Sequence, residues 1–196
     1  MRNKITSGAL EAFAHCKTQF HLKLLGVSGQ ATDYETVTNA QRHAAEKSAI
    51  NRLRRTHTIL DKVPTNIPPK GTLYFVKGSS QEDNDFSVQI DGIELKPNNH
   101  ERFSLVPTVF ADALTAKSSL LFVLQTYGLL LSKAHKVSIP QGVIWIGEYE
   151  KSTVSLRTDG RKFSSRFQEL LLSRELPSPP PLLLNHHCQI CEFRSR

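Results

Sequence analysis

Cys188 and Cys191 form a Cys-x-x-Cys pair near the end of the chain, and the third cysteine, Cys16, stands near its start in Phe13-Ala14-His15-Cys16. A Cys-x-x-Cys turn lets two thiolates converge on one metal centre, and soft thiolate ligands select zinc or an iron-sulfur cluster. A third thiolate delivered from Cys16 would close the two ends of the chain into one small lobe. The same residue types also suit a structural zinc site completed by His186 or His187, or three unligated thiols.

A second group carries the chemistry of phosphodiester hydrolysis, in which carboxylates hold magnesium or manganese and a lysine orients the attacking water. Asp91 and the Glu94-Leu95-Lys96 triplet supply an acid and an acid-x-Lys. On a continuous strand Glu94 and Lys96 share a face while Asp91 points to the other, so the three act together only if a turn at Gly92 shifts the phase or Asp85 replaces Asp91. Asp91-Gly92 is equally suited to starting a turn.

The tail "LLLNHHCQICEF", the opening "ITSGALEAFAHCKTQFHLKLLG" and the middle stretch "LVPTVFADALTAKSSLLFVLQTYGLLL" with "GVIWIGE" resemble the RecB-like, PD-(D/E)XK-type nucleases that carry an iron-sulfur cluster, relatives of the CRISPR-associated RecB-like exonucleases. The resemblance covers most of the chain, and the cysteine tail is its most specific part. It implies a restriction-endonuclease-like α/β fold and cleavage of DNA, single-stranded and from an end, in a protein fused to further helicase or nuclease domains. It implies a 4Fe-4S cluster on Cys16, Cys188 and Cys191, with a fourth cysteine one residue past Arg196. It also implies that Asp91 is the strand acid holding the metal, with Glu94 and Lys96 as partners, and that a helix ahead of the strands adds His43 or Glu46.

Two departures from that pattern point to an alternative. The acid-x-Lys belongs on the strand after Asp91, yet between Phe103 and Phe110 there is neither acid nor lysine, with Val106 and Thr108 standing instead. The Gln-x-x-x-Tyr of such nucleases is also absent: Gln125 and Tyr127 are two apart and point to different helix faces. The alternative is a DNA-binding module that keeps the fold without the chemistry, or a zinc-stapled structural domain.

Lys and Arg number 25 against 18 Asp and Glu, a formal charge of +7, which suits a polyanionic partner. Arg52, Arg54, Arg55 and His57 form one basic cluster and Arg157, Arg161, Lys162 and Arg166 another; each reads as a solvated helix face or as part of a nucleic-acid groove. No Gly-rich phosphate loop, Ser-His-Asp order or HExxH occurs, which leaves kinase, serine-hydrolase and metalloprotease readings without support. The longest apolar stretch, Leu120 to Leu131, is too short to span a bilayer, no secretory pattern opens the chain, and the free thiols suit the cytoplasm.

The elements that must position these residues follow from periodicity and breakers. Thr6 or Ser7 caps a first helix carrying Cys16, Gly26 to Gly29 ends it, and residues 34–57 form a long amphipathic helix. Strands fall near 71–78, 86–96, 102–110, 142–147 and 153–157, with Pro107 marking a bulge or edge. A largely buried helix spans 111–134 and another 161–175. A Pro-rich spacer, 176–181, carries the tail back, so that 1–26 and 182–196 form the cysteine lobe of a single domain, 1–196.

Overall fold

The computed structural model describes residues 3–64, 72–97, 103–111, 117–147, 150–183, 188–189 and 191–193. His186, His187 and residues 112–116 of the helix expected over 111–134 lie outside them. The chain is an α/β protein built on one mixed, open, seven-stranded sheet with helices on both faces. Strand order is β2 (His57–Leu60), β3 (Leu73–Glu82), β4 (Phe86–Pro97), β5 (Phe103–Ala111), β6 (Gln141–Ile146), β7 (Glu150–Ser155), with β1 (Ile5–Thr6) pairing only with β4. β3, β4 and β5 are an antiparallel meander, and β5 is joined to the parallel β6 through helix α4 (Lys117–His135).

Helix α4 is apolar because it is enclosed. Phe122, Val123, Leu124, Tyr127, Leu130 and Leu131 are buried in the larger core, together with α1 (Ser7–His15), α5 (Arg161–Glu175) and one face of the sheet. The opposite face is covered by α3 (Asp33–Leu53), whose Ala49, Ile50 and Leu53 pack on Phe75, Val106, Phe110, Val143 and Trp145. α3 starts where the sequence allows it. Thr32 accepts from the Glu35 N–H while the Glu35 carboxylate accepts from the Thr32 N–H, a reciprocal cap that satisfies two free donors of the first turn.

The first helix differs from expectation. It breaks at Cys16, whose extended backbone caps both α1 and the following α2 (Lys17–Leu24), so the cysteine occupies a corner rather than riding on a helix face. The long helix ends at Leu53, four residues early, because the chain turns there and pairs β2 beside β3. Pro107 lies inside a central strand, tolerated at the last position before pairing with β6 begins at Thr108.

Candidate functional site

The candidate site forms where β4 changes phase. Phe86, Val88 and Ile90 face the larger core, and so do Ile93 and Leu95, so the alternation slips by one residue across Asp91–Gly92. Gly92 meets Phe75 on the α3 side so closely that an added Cβ would lie 2.1 Å from the ring, and in β3 Gly78 adopts φ +65°. The slip leaves Asp91 and Glu94, which a continuous strand would send to opposite faces, both on the α3 side. Pairing of β4 with β5 stops at Gly92↔Thr108, and beyond it the Phe110 N–H donates to Asp91 Oδ2 at 2.9 Å. The carboxylate fills the split between two strands.

Arg42 of α3 reaches into that split and is shared by two acids. Its Nη2 donates to both oxygens of Asp91 at 3.1 and 3.2 Å, and its Nη1 to both oxygens of Glu11, on α1, at 3.0 and 3.2 Å. Forked, charge-assisted pairs of this kind fix both orientation and ionisation. Burial lifts the Asp91 carboxyl above its ordinary range, opposed by the Arg42 charge and the Phe110 N–H. Burial also works against the charge on Arg42, but Glu11 and Asp91 outweigh it and hold the guanidinium protonated. Tyr127 lies buried behind the cluster in reach of the Ser7 hydroxyl, and desolvation keeps its phenol protonated.

Asp91, His43 and Glu46, the residues expected to hold a catalytic metal, line one cavity of about 380 Å³ with Glu11, Arg42 and Lys77. They do not converge. Asp91 is taken up by Arg42, Glu46 faces Lys77 at 3.1 Å, and the largely exposed His43 stands 3.7 Å from Glu46. Among the described residues no group of three or more His, Cys, Asp or Glu side chains could hold a metal ion. The donor set at this cavity therefore fits a charge-neutralised cluster better than a magnesium or manganese site. Asp85, the expected substitute for Asp91, is bound by Arg174 of α5 at 2.8 Å, towards the other end of the strand.

Glu94 and Lys96 form a separate cluster. Glu94 is nearly buried, with His57 Nε2 and Lys151 Nζ each at 3.4 Å and Lys96 Nζ at 3.8 Å. Lys151 and Arg52 lie over Trp145, 5.4 and 5.6 Å from the ring centre. On β5, Val106 opposes Glu94 and Thr108 opposes Gly92, so the two positions where an acid and a lysine were wanted hold a methyl pair and a buried hydroxyl. The Thr108 Oγ1 has no hydrogen-bond partner among the described residues. Gln125 donates to the Arg157 carbonyl while Tyr127 is enclosed, so the two share no surface.

The cysteine end closes on the start of the chain. Glu192 accepts from Lys23 at 2.7 Å and from Gln19 at 3.1 Å, its carbonyl accepts from the Gln30 N–H at 2.9 Å, and Phe193 is buried. Cys16, Cys188 and Cys191 form no disulfide. Burial pushes the Cys191 thiol up, the Phe193 N–H pulls it down, and Cys16 is near enough for charge on one thiol to disfavour charge on the other. Thiolates are soft-metal donors, but among the described residues the three cysteines do not come together as a group that could hold a metal ion.

Sequence reading missed Arg42 and Glu11, whose partners are remote along the chain, and Lys151 and Glu192. His21 also escaped it: the ring is buried in α2 with both nitrogens unpartnered among the described residues. The only usable signal was an arginine at Arg42 in a helix otherwise read for its histidine and glutamate. No helix among the described residues is long and apolar enough to cross a membrane. No protein-family model matches the chain, and no curated protein matches it.

Proposed function

We propose that the chain is a RecB-like, restriction-endonuclease-type domain that binds single-stranded DNA without cutting it, and that Arg42 stands where a nuclease would hold a metal ion. The observation that carries this reading is the fork of Arg42 on Asp91, which commits both oxygens of the one acid available at the strand split. The order of elements supports the family assignment: a helix, α3, precedes the strands, Asp91 lies on one strand, its neighbour β5 comes next, and α4 follows. Val106 and Thr108 on β5 support the loss of chemistry.

Cleavage, the first expectation, needs Asp91 free and a second acid beside it. Glu46 lines the same cavity but answers Lys77. With Arg42 in place, the fixed positive charge supplies the neutralisation a cation would give and offers no open position for water or phosphate oxygen. Cys16, Cys188 and Cys191 would contribute thiolates to a 4Fe-4S cluster, its role being to staple the cysteine tail to the start of the chain. Helicase or nuclease domains fused to this one would supply the catalysis.

Binding to a fluorescein-labelled single-stranded oligonucleotide, measured across a salt series, tests the reading. The expected result is an affinity whose logarithm falls linearly with the logarithm of salt, with a slope of about −0.7 for each phosphate contacted. No binding at low salt, or binding indifferent to salt, would overturn it.

A further inference from the structure

We propose that Lys96 and Lys151, backed by Arg52 and the 54–57 segment, form a phosphate seat on the Trp145 face, held open in the free protein by Glu94. The inference rests on the nucleic-acid reading for its ligand, a nucleic-acid backbone, and goes beyond it in assigning the surface. Two lysine ammonium groups and His57 gather about a single carboxylate here, with Arg52 over the neighbouring Trp145, so the lysines outnumber the acid. Glu150, next in the chain to Lys151, is turned to Lys117 at 3.5 Å and does not cancel it.

The distances show that the lysines are available. Charge-assisted N–H···O bonds close to about 2.7–2.9 Å, whereas Lys151 and Lys96 stand 3.4 and 3.8 Å from Glu94 and both keep a third of the side chain exposed (35% each). Lys151 donates one long hydrogen bond to Glu94 and Lys96 approaches it only as an ion pair, so each ammonium, with three donors, keeps donors for a phosphate oxygen. Being nearly buried, Glu94 cannot follow them outward when a phosphate oxygen draws them to the surface. The basic segment singled out in the sequence lies alongside: Arg52, Arg54 and Arg55 are exposed at the end of α3, and His57, whose Nδ1 lies 2.8 Å from the Thr56 hydroxyl, ties that segment to Glu94.

Trp145 decides what is read. It is 5% exposed and covered by Lys151 and Arg52, so its face is not offered to a base. Recognition is by charge on the backbone, indifferent to base sequence. This separates the seat from aromatic platforms that stack bases.

The test compares the full chain with Lys96→Ala/Lys151→Ala, with Glu94→Gln, and with Arg161→Ala/Lys162→Ala on α5 as a control. A fluorescein-labelled 20-nucleotide single strand is read by anisotropy over a salt series, inorganic phosphate is titrated while the Trp145 indole NMR signal is followed, and thermal melts establish that each variant is folded. The lysine pair should weaken DNA binding about tenfold and lower the magnitude of the salt slope by about 1.4, two single-strand phosphate contacts. Glu94→Gln should tighten binding about threefold, and the α5 pair should stay within about twofold. DNA binding unaltered by the lysine pair, or no tighter in a folded Glu94→Gln, would overturn the seat while leaving nucleic-acid binding intact. A phosphate-induced Trp145 shift that the lysine pair abolishes, with no DNA binding by any form, would uphold the seat and overturn its nucleic-acid ligand. Silence in both measurements would overturn both.

Discussion

Asp91 Oδ2 receives both the Phe110 N–H and Arg42, and Oδ1 receives Arg42 alone, so removing the arginine leaves a desolvated carboxylate with one backbone donor. Burial already raises the folded-state pKa of Asp91, and Arg42→Met would raise it further. A group with a raised folded pKa contributes stability that is full below its unfolded value, about 4 for Asp, and is lost as pH climbs through the folded value. Arg42→Met should therefore fall progressively further below wild type in urea unfolding as pH rises from about 4 to 7. The gap at neutrality should be about 2 kcal/mol, under the cost of about 3–5 kcal/mol for breaking a fully buried pair, because the Arg42 side chain is 33% exposed. A gap independent of pH would contradict the assignment. Thr108→Val removes a buried hydroxyl that has no partner among the described residues and should be neutral or stabilising by about 1 kcal/mol in the same measurement; a loss would mean that the hydroxyl serves a contact. At this scale Asp91 was singled out in the sequence as the strand acid that the resemblance expects, and the Asp-Gly pair pointed instead to a turn. Arg42 was not, since its value arises from two acids, Glu11 and Asp91, brought together by folding.

The slip in β4 is the element-level feature from which the site follows. An uninterrupted alternation would have put Asp91 and Glu94 on opposite faces, and two glycines, Gly92 against Phe75 and Gly78 at φ +65° on the neighbouring strand, are what permit the change. Gly92→Ala would press a methyl into the Phe75 ring and should cost about 1–3 kcal/mol by overpacking. Thermal unfolding of Gly92→Ala, with Gly8→Ala as a comparison at a position with open space and no positive φ, checks this, and equal losses would count against a role particular to Gly92. The five main strands, the buried character of α4 and the α5 helix were readable because their periodicity and flanking breakers agree. β1 and β2 were not, since strands of two and four residues exist only through the partners β4 and β3 provide. The corner at Cys16 was hidden as well, because Ala14-His15-Cys16-Lys17 contains no Gly or Pro to announce it.

Across the whole molecule, the two ends meet where Gln19 and Lys23 of α2 hold Glu192, with Cys16 near Cys191 and Phe193 buried, while the mixed sheet carries the charged clusters on its α3 side. Phe193→Ala removes a buried ring from that closure and should lower stability by about 3 kcal/mol in urea unfolding; an unchanged midpoint would mean the tail contributes nothing to the fold. The Cys-x-x-Cys pair made this closure foreseeable, whereas the polar latch formed by Glu192 depends on Lys23, Gln19 and Gln30 and had no sequence pattern. The most direct test of binding without cleavage is incubation of end-labelled single-stranded DNA with anaerobically purified protein over a manganese series, beside an Asp91→Ala control. The strand should remain full length and bound at every manganese concentration. Shortening of the strand by wild type, abolished by Asp91→Ala, would establish a working metal centre and contradict the account.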